Sequence, residues 1–96
     1  MMKREPFAYE IDYGKKGEFR ALLGKKWPQI RSFLDRNHIA NFSLHECAGL
    51  VFGYCERGDM DLPGKERAIL ADFCDAFETV GHFLAEPGEG MRLMYH

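Results

Sequence analysis

His45 is the residue best suited to carry a proton. It follows Ser43 by two positions and alternates with Phe42 and Leu44, so on a strand it takes the face opposite those two apolar side chains. An imidazole titrates near neutrality and serves as general acid or general base. Tyr54, Tyr9 and Tyr95 add hydroxyl donors, and Glu10 and Asp12 add carboxylates, all within stretches of strand periodicity. His45 and Tyr54 are therefore the catalytic candidates. Which face of residues 41–46 looks inward is left open by the sequence.

Other chemistry finds less support. His45-Glu46-Cys47 places potential metal ligands together, but without a second pair at a known spacing it falls short of a zinc signature, and no metal is expected. Cys47, Cys55 and Cys74 are an odd number with no C-x-x-C spacing, which reads as free thiols in a reducing, cytoplasmic setting. His82 with Glu78 and Asp75 at helical spacing reads as a solvated ion-pair face, and His38 as a partner of a helix dipole. No cofactor is expected.

The elements that must position these residues follow from periodicity. Residues 6–13 alternate Phe7, Tyr9, Ile11 and Tyr13 against Ala8, Glu10 and Asp12, a strand with one apolar face. From Glu18 the period changes, and Phe19, Leu22, Leu23, Trp27, Ile30, Phe33 and Leu34 form a helical stripe. Pro28 lies inside it and removes the N–H that would bond the carbonyl of Gly24, so a bend or break is expected over 24–27. Asn41–Glu46 and Leu50–Glu56 form a hairpin around Cys47-Ala48-Gly49. A second helix is expected over Lys65–Leu84, with Ile69, Phe73, Phe77, Val80 and Leu84 on one face, and a last short strand over Met91–Tyr95.

The order strand, helix, strand, strand, helix, strand is the ferredoxin-like βαββαβ plan, an α+β fold with helices on one face of an antiparallel sheet. All 96 residues make a single domain with a small core. Its bare sheet face is expected to be covered by a second copy, giving a dimeric α+β barrel. Residues 1–40 carry nine Lys/Arg against five Asp/Glu, and residues 41–96 four against ten, so the halves attract each other. The basic pairs Lys15-Lys16 and Lys25-Lys26 are too few for a nucleic-acid footprint, and no apolar run is long enough for a membrane span.

Trp27-Pro28-Gln29-Ile30, then Ile39-Ala40-Asn41-Phe42-Ser43-Leu44, then Val51-Phe52-Gly53-Tyr54-Cys55-Glu56 make a series that resembles the L-rhamnose mutarotase family. There a W-P-E-L helix leads to N-Y-S-I and L-F-A-Y-x-E strands. Tyr13-Gly14-Lys15 is similar to the family's P-G-K, and Met94-Tyr95-His96 to its V-F-H ending. The likeness covers roughly residues 7–57 and 91–96.

The resemblance implies a homodimer of ferredoxin-like sheets with a sugar pocket beside the first helix, where acid–base groups open and reclose a pyranose ring. The family's histidine, four residues before the tryptophan, is matched here by Leu23, and its tyrosine four residues earlier by Phe19. Its paired tryptophans align with Phe77 and Glu78. Phe19, Leu23, Trp27, Tyr9 and Phe77 are thus the expected pocket residues. Two functions follow. One is a mutarotase-like enzyme acting on a deoxyhexose or related aldose, its proton carriers rebuilt from His45 and Tyr54. The other is a non-catalytic dimeric barrel binding a small apolar ligand. A cofactor-free monooxygenase-type barrel shares the architecture but has no motif here.

Overall fold

A computed structural model describes residues 3–58 and 61–86. The elements run β1 (Lys3–Ile11), α1 (Lys16–Arg36), β2 (Ala40–Cys47), β3 (Leu50–Arg57), α2 (Gly64–Phe77) and β4 (Gly81–Ala85). The strands form one antiparallel sheet in the order β2-β3-β1-β4, the ferredoxin-like arrangement expected from the sequence. Neither helix is long and apolar enough to cross a membrane.

Strand alternation divides the sheet into two faces. Tyr9, Ile11 and Val51 point toward the helices and form the core with Phe19 of α1, Phe77 of α2 and Val80. Leu22, Leu23, Ile30, Leu44 and Phe83 pack around them. The alternate positions project from the other side, where His45 lies opposite Phe52, and Phe52 opposite Ala8, in one row across three strands.

The β2–β3 hairpin closes on Ala48 and Gly49, both at positive φ (53° and 83°), the primed geometry that matches strand twist. The Gly49 N–H donates to the Glu46 carboxylate at 3.1 Å, while its carbonyl accepts from Ile11 N at 2.8 Å, which ties the turn to β1. Oppositely charged halves of the chain do meet. Glu46 sits 3.7 Å from Lys16 and 3.9 Å from Arg20, and Arg36 binds Glu66 through two nitrogens at 2.8 and 3.1 Å.

Four expectations change. First, α1 does not break at 24–27: it is helical without interruption from Lys16 to Arg36, Pro28 included. Gly24 and Pro28 are both exposed, so water can take the place of the missing N–H. Second, β1 stops at Ile11, and Tyr13 stands fully exposed in a turn closed by Lys15 N on the Asp12 carbonyl at 3.0 Å.

Third, the helix expected over Lys65–Leu84 ends at Phe77. Backbone bonds from Glu78 to Cys74, Thr79 to Ala76 and Val80 to Phe77 close it, and Gly81–Ala85 becomes the edge strand β4. The spacing Phe77, Val80, Leu84 fits a helix, but a five-residue strand is too short to announce its own period. Gly81 decides the matter locally: a side chain there would fall on the Glu10 carbonyl and the Tyr9 hydroxyl, so β4 can lie against β1 only with glycine. Leu84, expected in the core, is 55% exposed on the open face. Fourth, His82 leaves Glu78 and Asp75 and sits 3.1 Å from Glu10 and 3.5 Å from Asp12 across the sheet. The strand expected at 91–95, with Tyr95, lies outside the described residues.

Candidate functional site

Between the helices and the sheet lies a cavity of about 130 Å³. Its roof comes from one face of α1, with Phe19, Leu23, Ile30 and Phe33 at helical spacing. α2 closes one side with Phe73, Cys74 and Phe77. The floor is the helix-facing row of the sheet: Phe7, Tyr9, Phe42, Val51, Cys55 and Phe83.

The two helices touch through Phe33 and Phe73, edge to face at 5.8 Å and 89°, through Phe19 and Phe77 at 5.8 Å and 58°, and through the Arg36–Glu66 ion pair. The tip of the Phe7 ring sits against Gly53, where any side chain would collide with it. Among the described residues no large side chain falls below 2% exposure, so the core is nowhere completely sealed.

The walls are chemically quiet. Tyr9 contributes the one phenol, and its hydroxyl already donates to the Phe77 carbonyl at 2.5 Å. Burial, with Asp12 and Glu78 nearby, pushes that phenol up to about 12, so it keeps its proton at neutral pH. Burial likewise pushes the Cys55 and Cys74 thiols up to about 11, which leaves them protonated and poor nucleophiles. The charged lining residues are Glu5 and Arg57, an ion pair at 2.5 Å whose side chains are 14% and 18% exposed. Among the described residues no buried side-chain polar atom lacks a partner. The lining phenol and thiols are held protonated and the charged pair is engaged, so the cavity walls offer no ready general acid or base at neutral pH.

Tyr9, Phe19, Leu23 and Phe77 come together in this cavity. Trp27 does not line it. Its indole, 38% exposed, lies 6.0 Å from the Phe42 ring at a tilt of 40° and walls a separate surface groove with Arg20, Gly24 and Ser43. Leu23, Phe42 and Leu44 divide the groove from the cavity.

His45 and Tyr54 stand on the opposite, open face of the sheet, on neighbouring strands. His45 faces Phe52, and Tyr54 faces Ser43. The Tyr54 hydroxyl donates to Glu56 at 2.8 Å, a bond that raises its pKa. Asn41 also donates to Glu56 and, with Tyr54, holds that carboxylate below its ordinary value. Among the described residues no three His, Cys, Asp or Glu converge as a metal site.

Sequence reasoning missed Phe33, Cys55, Cys74, Phe83 and the Glu5–Arg57 pair as lining groups. The phase of Cys55 with Val51 was a usable signal for one wall. The ion pair had none, because it needs the β1–β3 register in which Glu5 faces Cys55 and Lys3 faces Arg57.

No family model matches this sequence, and no curated protein matches it. Among solved structures the chain is similar to the L-rhamnose mutarotase FA22100 from Formosa agariphila, with a TM-score of 0.56, 16% identity, and coverage of 97% of this chain and 99% of that one. At that identity the likeness is one of fold.

Proposed function

We propose that this chain is a mutarotase-like protein that keeps a small-molecule pocket beneath its first helix and uses it to bind an apolar compound rather than to catalyse. The apolar wall at Phe19 and Leu23 carries this reading, because the sequence resemblance matches those positions to a tyrosine and a histidine. A monosaccharide inside would leave several hydroxyls without partners, at a cost for each. Thermal-shift and NMR screening of the protein with small apolar compounds and with rhamnose, fucose and glucose tests the proposal. Stabilisation by the apolar set alone is expected; stabilisation by sugars alone refutes it.

A second reading, acceleration of anomer exchange in a deoxyhexose, is favoured by His45 and Tyr54 sharing one sheet face on adjacent strands. Anomer-exchange NMR of rhamnose and fucose tests it, and a rate equal to buffer at micromolar protein removes it.

Under either reading the protein is a homodimer. Phe52 at 45% and Leu84 at 55% exposure give the open sheet face apolar surface that a second copy would cover. Three free thiols suit a cytoplasmic location.

A further inference from the structure

We infer that the occupant of the cavity is a single aromatic ring carrying at most one small polar substituent. The inference rests on the binding reading above and adds the ligand class.

Size sets the first bound. A dry cavity of about 150 Å³ lined by apolar side chains accepts benzene. The cavity here, at about 130 Å³, holds one ring and little more.

The walls decide between a ring and an aliphatic guest of equal volume. Tyr9 meets Phe77 at 89° and Phe83 at 70°, with Phe19 tilted 33° to Tyr9 and 58° to Phe77. Phe33 and Phe73, at 89°, continue the pattern on the helix side. Walls built this way present both ring faces and ring edges. A planar guest can set its edge against one and its face against another, whereas a saturated guest gains only area burial. Cys55 and Cys74, held protonated by burial, add polarisable sulfur to the same lining.

Polarity sets the last bound. The Tyr9 hydroxyl is engaged with Phe77, and the charged lining groups, Glu5 and Arg57, engage each other. A guest with several hydroxyls would strand most of them. One polar substituent is tolerated, directed toward the Glu5–Arg57 end.

The test titrates the intact protein with toluene, methylcyclohexane and 1-hexanol, followed by ¹H–¹³C NMR of aromatic and methyl groups. Toluene is expected to bind about three- to tenfold more tightly than methylcyclohexane, with shifts at Phe19, Leu23, Val51 and Phe77. Equal or tighter binding of methylcyclohexane or hexanol overturns the aromatic assignment and leaves the apolar-binding reading standing. No binding by any of the three, or shifts confined to Phe52 and Leu84 on the open face, overturns both. Leu23→Phe, which fills the space from α1, is expected to lose toluene binding; if that variant fails to fold, the wild-type ranking of the three probes still decides.

Discussion

The Tyr9 hydroxyl donates to the Phe77 carbonyl at 2.5 Å, pinning a central strand to the last residue of α2. That bond occupies the one phenol in the cavity wall and helps to stop the helix where β4 must begin. Tyr9→Phe keeps the ring and leaves the Phe77 carbonyl with the longer bond from Val80 N at 3.3 Å. A loss of about 1 kcal/mol in urea-unfolding free energy is expected, with toluene affinity unchanged. A loss of toluene binding would mean that the hydroxyl meets the guest directly.

Gly81 lies so close to β1 that a methyl group would collide with the Glu10 carbonyl and the Tyr9 hydroxyl. Because one obstacle is backbone, β4 must move. Gly81→Ala is expected to cost about 2 kcal/mol or more, measured by denaturant unfolding. A neutral outcome would place β4 farther from β1 than described.

Leu23 forms part of the cavity roof. Leu23→Ala enlarges the hollow and is expected to destabilise by about 2 kcal/mol, at the lower end for such changes because Leu23 is only partly buried. Adding toluene should restore part of the lost melting temperature by occupying the larger space. No restoration would argue against a closed cavity at this position.

Alkaline pH should weaken the fold in a defined window. Cys55 and Cys74 are pushed from 9.0 to about 11, and Tyr9 from 10.0 to about 12. In the unfolded chain these groups lose their protons at lower pH than in the fold. Between the two values the unfolded state binds fewer protons, so stability falls as pH rises. The decline is expected to begin near pH 9, with the thiol contribution complete near 11 and that of Tyr9 near 12. Urea unfolding from pH 7 to 11 measures it. In Cys55→Ala/Cys74→Ala the onset should move up toward pH 10, where Tyr9 alone remains.

Phe52 is the middle of the row His45, Phe52, Ala8 on the open sheet face. If a second copy covers that face, Phe52→Asp buries a charge against it and should yield monomers by light scattering at micromolar concentration, with the cavity still binding toluene. A wild-type chain that is monomeric at the same concentration would remove the dimer.

Much of this was legible in the amino-acid order. The two-residue period of Phe7, Tyr9 and Ile11 and the three- and four-residue period of Phe19, Leu23, Ile30 and Phe33 define β1 and α1, and the Ala48-Gly49 turn follows from the residues between two strand-like runs. Local backbone preference and side-chain periodicity suffice for such elements. They also place Leu23 and Phe19 on the inward face of α1; that a pocket lies there was implied by the family resemblance, not by the period.

Tertiary structure decided what periodicity leaves degenerate. Val80 and Leu84 fit a helix stripe as well as a turn and strand, and only the close approach of Gly81 to β1 settles the choice. Two neighbouring helical residues such as Leu23 and Trp27 differ by a rotation of the helix against the sheet, and that rotation puts one on a cavity and the other on a surface groove. The cavity itself is a property of how α1 and α2 sit on four paired strands. The order of residues along the chain sets which side chains can face that space; the volume left between layers depends on packing among residues far apart in sequence.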